Sequence, residues 1–212
     1  IKSPLNNISS LTEILLNQFS DELGREAKMM MQMLDASSQT LRELVDGILE
    51  HSKSDYILNE NRSFFNLNKL INQCVELLDN HKICRFVTEF DQTTIAANKV
   101  ALQQILLNLI SNAIKYNDKS EVEIKIRFSE DLNFYKFEIQ DNGVGIDIKY
   151  QTKIFDIFEV VVVEDRFGKR GTGIGLSTVK KLVEGLGGCI QVQSKLGEGA
   201  IFKFSIAKQD FI

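Results

Sequence analysis

"YKFEIQDNGVGI", residues 135–146, changes character at Asp141. Tyr135, Phe137 and Ile139 alternate with Lys136, Glu138 and Gln140, the two-residue period of a strand with one face buried and the other wet. Asp141 ends the alternation, and Gly143 and Gly145 follow at once, a spacing suited to a tight turn whose backbone approaches something closely. The stretch therefore predicts a strand that delivers a carboxylate to a glycine turn. Just upstream, "EVEIKIRF" (121–128) places Val122, Ile124, Ile126 and Phe128 on one face and Glu121, Glu123, Lys125 and Arg127 on the other. "CIQVQS" (189–194) and "AIFKFSI" (200–206) supply two more strands. Strands that succeed one another without helical crossovers predict a mixed, mostly antiparallel sheet covered on one side by helices, an α/β sandwich within an α+β chain.

Helices on either side of this stretch are legible from a different period. "NLNKLINQCVELLDN" (66–80) has helical spacing, and in "LQQILLNLISNAIK" (102–115) Leu102, Ile105, Leu106, Leu109, Ile110 and Ala113 share one face, which marks them as core. Asn108, Asn112 and Lys115 form a second stripe beside it. Two readings fit that stripe: a platform for phosphate and metal, and a solvated helix face. Eleven of the 13 glycines fall between Gly143 and Gly199. "GTGIGLSTVKKLVEGLGG" (171–188) passes from a glycine loop into a helix with Val179, Leu182, Val183 and Leu186 on its buried stripe. Such a loop offers bare N–H groups and the positive end of the helix dipole to a phosphate. It is not a Walker loop, since no G-K-[ST] is present, nor does "GTGIGL" have the G-x-G-x-x-G spacing of a dinucleotide fold.

Residues 1–56 follow another grammar, without strand alternation. Leu34, Leu41 and Ile48 recur every seven residues, with Met30, Ser37, Leu44 and Val45 filling the turns between, the spacing of a bundle seam. Gly24 is read as the stop of a first helix, so the two helices form a hairpin. A hairpin buries only one side of such a seam, and a four-helix bundle made by two chains completes it; packing of the helices on the rest of the same chain is the alternative. Pro4, the only proline of the 212 residues, suits a first helical turn, or marks a kink if the helix extends further upstream.

Composition excludes several classes. A hydrophobic fraction of 43%, a charged fraction of 25% and a net charge of −4 describe an ordinary globular chain and lack the basic excess of a nucleic-acid binder. No apolar run approaches the roughly 18 residues of a membrane span. Cys74, Cys84 and Cys189 are an odd number without C-x-x-C spacing, which suggests neither disulfides nor zinc and fits a reducing, cytoplasmic setting. His51 and His81 lie in polar stretches and are read as exposed structural residues rather than metal ligands.

The ordered set is specific: an Asn-rich helix, then strand-Asp-x-Gly-x-Gly, then a variable segment, then G-x-G-x-G-L at a helix start. It resembles the catalytic core of sensor histidine kinases of two-component systems, within the wider GHKL ATPase group. "NLISNAIKYN" resembles the family's N box, "DNGVGI" its first glycine box, "IFDIFE" its phenylalanine box and "GTGIGL" its second glycine box. The hairpin resembles the family's dimerisation and phosphotransfer domain, so the resemblance covers almost the whole chain, as 1–56 and 57–212. It implies a signal-transducing transferase that binds ATP and Mg²⁺. Asn112 would hold Mg²⁺ at the triphosphate, with Asn108 and Lys115 assisting. Tyr116 would lie against the adenine and Asp141 would accept from its amino group, favouring ATP over a guanine nucleotide. Gly143, Gly145 and Ile146 would border the base, and Gly171, Thr172, Gly173, Gly175 and Leu176 would let the lid close on the phosphates. Phe155 and Phe158 are read as anchors of the lid base. Lys169 and Arg170 would meet the γ-phosphate, or are simply solvated. Asn98, where the family often has an acid, and Ala200, where threonine is common, are departures.

"IKSPLNNI" (1–8) resembles the second half of the family's H box. The phosphoaccepting histidine of this phosphoprotein would then stand five residues before Pro4, outside the chain, and the chain alone would lack its acceptor. Ser3 matches the position at which related kinases orient water for dephosphorylation, a phosphatase position. The resemblance further implies a homodimer through the hairpin, a response-regulator receiver domain as partner, no contact of this segment with nucleic acid or membrane, and a cytoplasmic place, as an independent protein or as part of a membrane sensor. A nucleotide-binding pseudokinase or scaffold is the alternative function.

Overall fold

A computed structural model of the chain describes residues 2–19, 23–79, 83–161, 164–168 and 171–208. The chain divides into two compact units, Ile1–Glu50 and His51–Ile212.

In the first unit α1 (Lys2–Gln18) precedes α2 (Arg25–Leu58), which runs on past the unit boundary. Pro4 stands in the first turn of α1, where its missing N–H costs no helical bond. Gly24 does not stop α1, which ends earlier; its carbonyl instead accepts from Lys28 N at 3.0 Å and opens α2. The two helices run antiparallel, since Ser38 Oγ donates to Leu5 O at 3.2 Å while Thr12 Oγ1 lies 3.4 Å from Asp35 Oδ1. Arg42 Nη2 donates to Ser9 Oγ at 2.8 Å. These contacts between helices are polar, and a polar groove of about 390 Å³ runs beside them, lined by Glu13, Asn17 and Gln39 among others. The heptad residues face outward: Met30, Leu34, Leu41 and Ile48 are 66%, 50%, 48% and 45% exposed.

The second unit begins six residues before the expected boundary because the end of α2 is bonded into it. Lys181 Nζ donates to Asp55 Oδ2 at 2.9 Å, and His51 Nδ1 lies 3.2 Å from Thr178 Oγ1. His51 is therefore half-buried and partnered, not an exposed residue. Burial and the Lys181 ammonium hold its pKa below the usual imidazole range, with Asp55 opposing. A two-stranded antiparallel sheet pairs β1 (Ser63–Asn66) with β3 (Thr94–Ala97). The main sheet has the order β2-β4-β5-β7-β6, formed by Cys84–Thr88, Val122–Glu130, Phe134–Asp141, Ala200–Ala207 and Ile190–Ser194. Only β2 and β4 pair in parallel, so the sheet is mixed and mostly antiparallel.

Helices α4 (Lys99–Lys115) and α5 (Gly175–Gly185) cover this sheet, and α3 (Leu67–Leu78) packs beside α4 and β1. The alternation of the strands decides which face they meet. Val122, Ile124, Ile126, Tyr135, Phe137, Ile139, Phe202, Phe204 and Ile206 are buried against the helices. On the other face Arg127 links Glu89, at 2.6 Å, to Glu138. The predicted stripe of α4 is buried throughout, from Leu102 to Ala113, and each of its leucines and isoleucines stabilises the fold by roughly 1.5–3 kcal/mol relative to exposure. Asn98 caps α4, its Oδ1 accepting from Ala101 N at 3.0 Å while Nδ2 donates to Ile57 O at 2.7 Å. An acidic residue would cap equally well and lose that donor. All three cysteines are free, Cys74 buried and Cys189 exposed.

Candidate functional site

Two loops and the start of α5 converge on the C-terminal half of α4. The first is the turn after β5, where Asp141 ends the strand. Its Oδ1 accepts from Gly143 N at 2.8 Å and Ala200 N at 3.3 Å. Ala200 thus contributes a main-chain donor, for which a threonine hydroxyl is not needed. Among the described residues both donors to this carboxylate reach Oδ1, which leaves Oδ2 for a ligand. Burial pushes the Asp141 carboxyl up to about 6, against the pull of the two N–H groups.

The turn is pressed onto α4. Gly143 has no room for a Cβ, which would meet the carbonyl of Tyr116 and the Asp141 carboxylate, and Val144 N donates to that same Tyr116 carbonyl at 3.2 Å. Gly145 lies at φ +71. Ile146 is half-buried against the core, and its N–H donates to Ser194 Oγ at 2.8 Å. Ser194 Oγ in turn donates to Gly199 O at 2.6 Å, tying the turn to the β6–β7 connection.

The second loop leads from the phenylalanine box to α5. Phe155 packs edge-on against Phe202 with ring centroids 6.4 Å apart, an anchor in the core. Phe158 is exposed at φ +68, and its N–H donates to Gly173 O at 2.8 Å. Gly173 is itself at φ +69, and a Cβ there would run into the Phe158–Glu159 backbone. Arg166 N donates to Lys115 O at 2.8 Å, so this segment lies along the end of α4. Gly171 passes so near the Tyr116 hydroxyl that a Cβ would strike it. Burial, aided by Asp165, raises the Tyr116 phenol above its usual range. Thr172 is half-buried. Lys169 and Arg170 lie outside the described residues, as does His81.

The third element is the start of α5. No side chain caps it at Ile174, and no acidic residue stands in its first turn, so its positive end is unneutralised by the protein. Gly175 sits where a Cβ would be 3.0 Å from Asn108 Oδ1, and Leu176 packs against the core. On α4, Asn108 and Asn112 are half-buried and Lys115 is exposed; Asn108 Nδ2 bonds Gln104 O at 3.0 Å. The structure therefore brings Tyr116, Gly143 and Gly171 together on one side and Asn108 and Gly175 on the other. Ser3 stands in the first turn of α1, in the other unit.

A protein-family model described as histidine kinase-, DNA gyrase B-, and HSP90-like ATPase matches residues 97–210. The chain belongs to this ATPase family. Within it, similar proteins and solved structures make the second unit a catalytic domain of the sensor histidine kinase kind. Phytochrome-like protein Cph1 of Synechocystis sp. is 30% identical over 209 residues, 97% of this chain and 27% of that protein. The chain thus spans about a quarter of the length of such curated relatives. Full-length ShkA in complex with AMPPNP superposes with a TM-score of 0.68 at 25% identity, over 98% of this chain and 44% of that one. ThkA in complex with the response regulator protein TrrA shares the fold, with a TM-score of 0.65 at 23% identity over 98% and 60%.

Sequence reading missed several residues that shape this candidate site. Ser194 and Gln151 hold the Ile146 turn, Gln151 Nε2 donating to Ile146 O at 2.9 Å and Ser194 O at 2.7 Å. Asn117 and Asn142 lie within the N box and the first glycine box, and their amides join. Two amides inside motifs already singled out were the available signal.

Proposed function

We propose that the chain is the core of a sensor histidine kinase that binds Mg-ATP in the second unit. In the full-length protein it would transfer the γ-phosphoryl group to a histidine in the segment preceding Pro4, and from there to an aspartate of a response-regulator receiver domain. The observation that carries the reading is Asp141: a carboxylate at a strand end, held through one oxygen by two main-chain donors, with no donor among the described residues on the other. Such an acceptor suits the amino group of adenine and is mismatched to the carbonyl of guanine. Tyr116 and Ile146 would border the base. Asn108, Asn112 and Lys115 would face the phosphates, together with Gly171, Thr172, Gly173, Gly175 and Leu176 at the uncapped start of α5. Lys169 and Arg170 of the same loop would meet the γ-phosphate. AMPPNP in the complex of ShkA is consistent with this choice of nucleotide.

The donor set also fits the metal. Among the described residues no group of three His, Cys, Asp or Glu forms a cage. Mg²⁺ characteristically takes one or two protein oxygens and completes its shell with phosphates and water. Asn112 would supply that oxygen, and the ion would offset charge on the transferring phosphate. Positioning does the rest. The response regulator TrrA bound to ThkA supports a receiver domain as partner. The outward-facing Leu34, Leu41 and Ile48 support a homodimer through the hairpin, and Ser3 would orient water for dephosphorylation of the regulator. None of the described helices is long and apolar enough to cross a membrane; we place this segment in the cytoplasm on its three free cysteines.

Titration of the chain with ATP, with and without Mg²⁺, tests the site. Wild type is expected to bind more tightly with the metal, and Asn112→Ala to lose most of that difference. An undiminished Mg²⁺ dependence in Asn112→Ala contradicts the metal assignment. Absence of ATP binding by wild type contradicts the function.

A further inference from the structure

Asn117 follows the end of α4 and Asn142 follows Asp141 in the turn after β5, so their bond joins the two elements that carry the site. Asn117 is 2% exposed. Asn142 Oδ1 accepts from Glu123 N at 2.9 Å and from Asn117 Nδ2 at 2.8 Å, while Asn142 Nδ2 donates to Glu121 O at 3.1 Å. Asn117 Oδ1 accepts from Lys119 N at 2.9 Å. Main-chain groups fix both amides: a backbone N–H only donates, so the atom facing it is oxygen. That leaves a single direction for the bond between the two side chains.

The strand register gives the pair its meaning. Ile124 opposite Asp141 is the last pair of the β4–β5 ladder. The next N–H, that of Glu123, is taken by the side chain of Asn142 rather than by the main chain of β5. The backbone of Asn142 is thereby released to turn into Gly143, and the turn is bonded to Tyr116 through Val144. Asn117, one residue beyond the α4 cap, takes hold of the same oxygen.

We propose that Asn117 and Asn142 form a positioning pair, which fixes Asp141 on the adenine side relative to Asn108, Asn112 and Lys115 on the phosphate side. The inference rests on the ATP-site reading above. Two half-sites held at a fixed span act on one ligand as a bivalent site, and loosening the span removes that advantage without weakening either half.

Calorimetric competition on the whole chain separates the possibilities, using ATP, adenosine and inorganic triphosphate as probes in the presence of Mg²⁺. Asn142→Ala and Asn117→Ala are each expected to weaken ATP by about tenfold or more, while adenosine and triphosphate change by less than about twofold. The double variant should be no weaker than the weaker single one, because both remove one device. Asn142→Asp keeps the shared acceptor oxygen but loses the donor to Glu121 O, and should restore part of the ATP affinity lost in Asn142→Ala. Unchanged ATP affinity in both alanine variants overturns the proposal, as does a parallel loss for all three ligands, which marks a general loss of structure. Should Asn142→Ala fail to fold, Asn117→Ala carries the same test, since it leaves both main-chain bonds of Asn142 in place. Failure of wild type to bind ATP overturns the ATP-site reading and this inference with it, and is visible before any variant is made.

Discussion

The hairpin and the sandwich bury their apolar residues differently. In the second unit the periodic stripe of α4 and the alternating faces of β4, β5 and β7 meet each other, and Leu102, Ile105, Leu106 and Ile124 are fully buried within one chain. In the first unit the helices touch through Ser9, Thr12, Asp35, Ser38 and Arg42, and the seven-residue stripe faces away. Periodicity of equal clarity thus has two outcomes. One stripe finds its partner in the same chain, and the other faces outward, where the proposed homodimer would cover it.

The sharpest way to break this contrast is to cut into each stripe in turn. Leu106→Ala removes a side chain from a closed core and is expected to destabilise the second unit by about 2–5 kcal/mol, read from urea unfolding. Leu41→Glu should instead shift the chain from dimer to monomer in sedimentation while ATP affinity per chain stays within about twofold. A dimer that survives this charge contradicts the contrast.

A smaller effect is expected from pH. The carboxyl of Asp141 lies near 6 in the fold against a usual value of 3.8, so folding favours its protonated form. The corresponding stability is fully present below pH 3.8 and is lost as pH rises through 6, a cost at pH 7 on the order of 3 kcal/mol in the nucleotide-free protein. Asp141→Asn should flatten that dependence in thermal melts between pH 4 and 7. The smallest expected effect belongs to Leu41→Ala, which in dilute monomeric chain should change stability by no more than about 0.5 kcal/mol.

Long elements were legible in sequence, and of the strands of four or five residues only β6 was. β4 and β5 carry enough alternation to be seen, and the α4 stripe is buried as its spacing requires. β1, β2 and β3 are four or five residues long, too short for a period, and are defined by their partners; β2 takes its place from pairing Cys84 with Val122. Asp141, Tyr116 and the glycine loops could be named from motif order. What joins them could not, because the Asn117–Asn142 bond spans 25 residues and leaves no local pattern. His51 was misread for the same reason: its partner, Thr178, is 127 residues away.

Titration of wild type and Asp141→Asn with ATP and GTP at pH 7.5 tests the central claim most directly. Loss of a hydrogen bond to a charged acceptor is worth about 1.5–3 kcal/mol. Wild type should therefore prefer ATP, and Asp141→Asn should lose about ten- to a hundredfold in ATP affinity while its GTP affinity does not fall. ATP binding of equal strength in the two proteins would contradict the account.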